Sequence, residues 1–212
     1  MYGTGRVEAF SDGVIAIAIT LLILDVHVPT GTGSLWHQLG SQWPHYVAYA
    51  VGFLVIGVMW VNHHGIFRQL RQVDRVTLFL NLLLLMTIAT NPFLTALVAQ
   101  YLGKDPTNAS IAMALYSCMS IVVSIFFSAI WLWALNHPEL LQPWVDVDAA
   151  KRDLWRLRFN LGAVVYWLLL PIAFLSAWLC LVGQALVALY YVGDRLSTEP
   201  TAAGEEEPAD PS

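Results

Sequence analysis

Residues Arg6 to Asp25 read RVEAFSDGVIAIAITLLILD, and this stretch decides the fold. A polar head of Arg6, Glu8, Ser11 and Asp12 leads into an uncharged run from Gly13 to Leu24. At about 1.5 Å of rise per residue, a helix over Val7 to Val28 is long enough to cross most of a hydrocarbon core roughly 30 Å thick. Wound at about 100° per residue, one face collects Phe10, Gly13, Val14, Ile17, Thr20, Leu21 and Leu24, while Asp12 falls on the far side from Ile17. Such a helix has two kinds of neighbour. The carboxylate needs partner helices, because an unpaired charge in hydrocarbon costs several kcal/mol. What the aliphatic face meets is the functional question.

The rest of the chain has the same character. Of its 212 residues 58% are hydrophobic and only 12% charged, a balance that excludes an ordinary soluble domain and fits a polytopic membrane protein. The net charge of −5 is set by the end of the chain, where Glu199, Glu205, Glu206, Glu207 and Asp210 cluster. Apolar segments fall at about 7–28, 43–67, 76–101, 109–135, 154–170 and 172–192. The last two form one long run, divided at Pro171 because the whole is too long for a single span. This predicts an all-α membrane protein with six transmembrane helices over residues 1–197. The tail 198–212, rich in Pro, Ala and acid, is expected to be disordered.

Between the first two spans, PTGTGS reads as a turn and SLWHQLGSQW as a short interfacial helix, with Trp36 and Trp43 suited to the headgroup level. Residues 137–153 form a polar connection. Cys118 and Cys180 lie in apolar runs without metal-ligand spacing and read as packed thiols. No cleavable signal peptide is expected, since acids interrupt the basic leader and no small-residue cleavage site follows. With the N-terminus in the cytoplasm, Arg6, Arg68, Arg71, Arg75, Lys151, Arg152, Arg156, Arg158 and Arg195 all fall inside and Lys104 alone falls outside. That asymmetry supports an even number of spans and cytoplasmic termini in a multi-pass cell-membrane protein.

Polar residues recur at one depth. Counted from Arg6, Arg68 and Arg75 as marks of the inner surface, Asp12, His63, His64 and Asn81 all lie about 6–9 Å in. Three consecutive spans thus bring hydrogen-bonding groups to one level, with Arg6 nearby to balance charge. A zinc or catalytic reading of this cluster is disfavoured. His63 and His64 are adjacent and point about 100° apart, H-E-x-x-H spacing is absent, and no serine or cysteine has an evident base. With Arg6, Phe10 and Ser11 at the head of the first span, the cluster reads as a structural polar network, a clasp that sets the angle of that span, and the chain as no enzyme. A proton relay through Asp12 and His63 is the alternative. His27, His37, His45 and His137 read as ordinary polarity at loops and span ends.

These residues carry a resemblance. R-x-x-x-F-S-D (Arg6, Phe10, Ser11, Asp12), W-x-x-H-H (Trp60, His63, His64), L-N-L (Leu80 to Leu82) and N-P-F (Asn91 to Phe93) resemble the transmembrane protein 175 family of potassium channels, in its bacterial branch. The resemblance spans about residues 6 to 192, with nearly all its specificity in 6–101. It implies a homotetramer in the lipid bilayer, one six-span repeat per subunit, with the first helix of each lining a central pore. By spacing from Asp12, it implies a constriction at Ile17 with Thr20 and Leu24 as further layers; Gly13, Val14 and Leu21 share that face. The conducted ion implied is K+, with no cofactor, metal or nucleic-acid partner.

No TVGYG-like loop or ring of acids is present, so selectivity of those kinds is excluded. A ring of Ile17 side chains would instead be a dry constriction where an ion sheds water without replacement, which favours potassium over sodium modestly. The Thr20 hydroxyls could compensate in part, or simply bond back to the Ala16 carbonyl. The competing classes are a proton-coupled or proton-permeable transporter using Asp12 and His63, for which Pro92 and Pro171 offer broken helices, and a membrane scaffold without flux.

Overall fold

The structure, a computed structural model, describes residues 2–146 and 155–196. The acidic tail 198–212 and the basic residues Lys151 and Arg152 lie outside the described residues. The first span is α1, Thr4–Leu21, drawn out by a 3-10 turn over Leu22–Asp25. Its buried residues are Ser11, Ile15, Ala18 and Leu22, a 4-3-4 spacing that marks one helical stripe. A two-residue strand β1, Tyr2–Gly3, pairs antiparallel with β2, Gln72–Val73, and so ties the start of α1 to a loop two elements later.

A short, fully surface helix α2, Leu35–Ser41, follows where an interfacial helix is expected. The Gln38 amide donates to the carbonyls of Gly31 and Gly33 at 2.9 and 3.3 Å, which fastens α2 to its loop. Gly33 has φ 117°, a conformation that a side chain would strain. Helix α3, Trp43–Phe67, opens with Pro44 in its first turn, where the missing N–H is harmless. The third span is two helices, α4 over Arg75–Ala89 and α5 over Asn91–Tyr101. The break at Thr90 follows from Pro92, which has no N–H for the Ile88 carbonyl. The Asp74 carboxylate caps α4, accepting from the Thr77 amide at 2.8 Å and its hydroxyl at 2.7 Å. Helix α6, Pro106–Asn136, is capped by Asp105 in the same way.

The last two helices are α7, Trp155–Leu175, and α8, Ala177–Leu196. The division expected at Pro171 is therefore displaced: Pro171 sits inside α7 and the joint is Ser176. Prolines are tolerated within membrane helices when neighbours cover the freed carbonyl. Ser176 instead acts as a cap, its hydroxyl accepting from the Leu179 amide at 3.4 Å. Beyond the joint the helices fold back on each other. The Cys180 thiol donates to the Leu169 carbonyl at 3.3 Å, and the Leu169 side chain lies so close to Gly183 that a Cβ there would collide.

Among the described residues four helical spans are long and apolar enough to cross a membrane: Thr4–Asp25, Trp43–Phe67, Arg75–Tyr101 and Pro106–Asn136. Val165–Leu175 and Ala177–Tyr191 are shorter apolar stretches. The core between the helices is aliphatic, with Ile56, Ile66, Phe67, Leu84, Ile88, Met113, Ile130 and Leu135 fully buried. Cys180 is buried as expected, but Cys118 is exposed. It lies on the outward stripe of α6 with Ile111, Leu115, Val122 and Ile125, uncovered by the chain's own helices.

Candidate functional site

Helix α1 is fastened on one side and bare on the other. Ile17 is 61% exposed and Leu24 70%, and Phe10, Gly13, Thr20 and Leu21 are also uncovered by the chain's own helices. Val14 is half-buried against the core, so it lies at the edge of that stripe rather than within it. Ile19 is likewise half-buried, on the opposite side from Ile17. The periodic face read from the sequence is thus the unpartnered face of the folded chain. The Thr20 hydroxyl donates to the Ile17 carbonyl at 2.9 Å, three residues back rather than to Ala16.

On the opposite face a buried polar chain links three helices. The Ser11 hydroxyl donates to the Val7 carbonyl at 2.8 Å and accepts from the Asn81 amide at 3.0 Å. The Asn81 carbonyl oxygen is 2.9 Å from His63 Nε2, which donates to it. All three side chains are essentially inaccessible, at 0%, 2% and 1% exposure, so each hydrogen bond is protected from competition. The His63 ring is also stacked on Phe67, with centroids 4.2 Å apart.

The clasp expected around Asp12 is corrected here. Asp12 is half-exposed, and its partner is the Trp60 indole, which donates to it at 2.9 Å. His64 is exposed and stacks on Trp60 instead of joining His63. Arg6 is exposed as well. Depth was read correctly, but direction was not: Ser11, about 100° around the helix from Asp12, is the residue that meets α4. Trp60 belonged to a quoted motif without being given a role.

Residues 6–92 match the family "Endosomal/lysosomal potassium channel TMEM175"; these residues hold every member of the buried polar chain. A potassium channel of Streptomyces collinus is 51% identical over 193 residues, 90% of this chain and 92% of its own length. The chain belongs to the TMEM175 family. A solved structure described as a lysosomal potassium-selective channel TMEM175 homolog from Chamaesiphon minutus superposes with a TM-score of 0.78 at 36% identity, covering 90% of this chain and 97% of that one. The TMEM175 of Gallus gallus, named an endosomal/lysosomal proton channel, is 38% identical over 149 residues, 65% of this chain but 30% of its own length. As a TMEM175 member with several apolar spans, the chain is a multi-pass membrane protein.

Two further groupings lie outside that polar chain, and in the first His45, expected to be ordinary polarity at a span end, has a carboxylate partner. His45 Nδ1 lies 2.9 Å from an Asp25 carboxylate oxygen, with the His27 ring set edge-on at 5.9 Å. The signal was available: antiparallel neighbouring spans bring the end of the first and the start of the second to one level. Near the opposite end of the spans, Asp74 also accepts from the Trp133 indole at 3.0 Å. Burial works to raise the Asp74 carboxyl, but the hydrogen bonds from Thr77 and Trp133 outweigh it and hold the group below its ordinary value.

Proposed function

We propose that this chain is one subunit of a homotetrameric, potassium-selective leak-type channel of the cell membrane. Each subunit contributes six spans, both termini are cytoplasmic, and the α1 helices surround the ion path. The observation that carries this reading is the bare aliphatic stripe of Ile17, Thr20 and Leu24 on a helix held from behind by Ser11, Asn81 and His63. The names of the Streptomyces and Chamaesiphon relatives support potassium as the conducted ion. Gly13, Val14 and Leu21 flank the path.

Four Ile17 side chains around an axis leave no oxygen to replace an ion's water. The barrier is then the free energy of partial dehydration, which is smaller for the larger, more weakly hydrated potassium ion. Selectivity over sodium is accordingly modest. Thr20 has its hydroxyl hydrogen committed to the Ile17 carbonyl, so what it can offer an ion is the oxygen lone pairs.

The test is the reversal potential under bi-ionic potassium and sodium for Ile17→Ala and Ile19→Ala. Trimming Ile17 admits water to the constriction, so conductance rises and selectivity falls towards the ratio of bulk mobilities. Trimming Ile19 removes packing behind the pore face and lowers yield without that change. Parental selectivity in Ile17→Ala together with lost selectivity in Ile19→Ala overturns the assignment of the pore face. The proton-channel name of the Gallus relative favours a second reading, proton passage past Asp12. Liposome flux with and without a proton ionophore separates passive potassium conduction from a flux that requires a proton gradient.

A further inference from the structure

We propose that Asp25, His27 and His45 form a binding site for a divalent transition metal ion of the zinc type. Asp25 closes the 3-10 turn that ends the first span, His27 follows two residues on, and His45 stands in the first turn of α3. One ligand atom from each residue lies within 4.8 Å of the other two. Tetrahedral zinc, with bonds of about 2.0–2.1 Å to nitrogen and oxygen, sets its ligand atoms about 3.3 Å apart. The Asp25–His45 pair, at 2.9 Å, is already close to that spacing. Only His27 has to approach further, and it is exposed on non-helical chain where such a movement meets little resistance.

The donor set selects the metal. Two imidazoles and one carboxylate suit zinc-like ions, whereas magnesium and calcium want oxygen shells and copper(I) wants thiolates or thioethers. Three protein ligands leave a fourth position for water. The contact that joins Asp25 to His45 holds a proton between two ligand atoms, so a metal bound at Nδ1 takes that proton's place and the neutral ring carries it on Nε2 instead. His45 is only 8% exposed, so its ring is fixed by packing before any ion arrives. A bound ion would bridge the end of α1 to the start of α3 at the end of the span opposite the Ser11–Asn81–His63 chain.

The experiment is calorimetric titration of the full chain in detergent with Zn2+, after chelator treatment, with Co2+ absorption as a second readout. One Zn2+ binds per chain, and Co2+ gives the intense visible bands of a four-coordinate site. His27→Ala and Asp25→Asn each weaken Zn2+ binding by more than about tenfold and remove the Co2+ bands, while His37→Ala, on the separate helix α2, changes neither. His27 is exposed, so its variant keeps the parental helix content and particle size, and lost binding there cannot be ascribed to misfolding. Absence of saturable binding to the intact chain overturns the proposal. So does binding that survives both His27→Ala and Asp25→Asn, or that His37→Ala weakens equally. The outcome is independent of which face of α1 conducts.

Discussion

Replacing Asn81 by Leu tests whether the buried polar chain holds α1 in place. The two side chains have the same number of heavy atoms and branch at the same carbon, so the change removes hydrogen bonding without opening a cavity. Ser11 loses a donor, but its own hydroxyl still bonds to the Val7 carbonyl. His63 is worse placed: Nε2 loses its acceptor in a residue 1% exposed, behind a ring already stacked on Phe67. One orphaned buried donor costs about 1–3 kcal/mol, and about 2 kcal/mol lowers the folded-to-unfolded ratio by a factor of roughly 30. For a chain of this size that corresponds to a melting shift of about 4–8 °C.

Thermal unfolding in detergent, followed by circular dichroism, measures the shift directly. Two companions make it decisive. His63→Leu combined with Asn81→Leu removes both ends of the bond and should recover part of the loss, because two absent partners cost less than one left behind. Asp12→Ala removes a single bond to a Trp60 that is 45% exposed, and should cost about 1 kcal/mol or less. If Asp12→Ala destabilises more than Asn81→Leu, or the double variant is the worst of the three, the anchor has been placed on the wrong residues.

Gly52 lies where α3, α5 and the end of the first span meet, and a Cβ there would stand 2.9 Å from the Thr95 hydroxyl and 3.3 Å from a Leu22 methyl. Gly52→Val should cost about 1–3 kcal/mol by overpacking, read as a lower melting temperature, and Thr95→Ala in the same chain should return part of it. For Asp74, the carboxyl is held low in the folded chain, so its contribution is present above the unfolded value of about 3.9 and is lost as pH falls through the lower folded one. The melting difference between the parent and Asp74→Asn should therefore be constant above about pH 5 and shrink below about pH 4; a difference that grows on acidification would refute the sign.

What was legible in the sequence, and what was not, divides along the helix axis and around it. Depth accumulates at about 1.5 Å per residue, so an error of one position barely moves a group along the span. Azimuth turns by about 100° for the same error. This is why the level shared by the first, second and third spans was found, with Ser11, His63 and Asn81 in the network, yet Asp12 was put at its centre and His64 was grouped with His63. The exposed stripe of α1 escaped that fragility because seven residues define it together, and only Val14, at its edge, is partly covered. The joint at Ser176 was hidden for a different reason: a proline marks a lost hydrogen bond, while a serine cap shows only once its amide partner is known. The level of the Asp25–His45 pair was legible in the same way, because with α1 and α3 antiparallel the end of one and the start of the next lie side by side. Their bond needed azimuth as well: these two side chains face each other, where Asp12 and His63, equally level, do not.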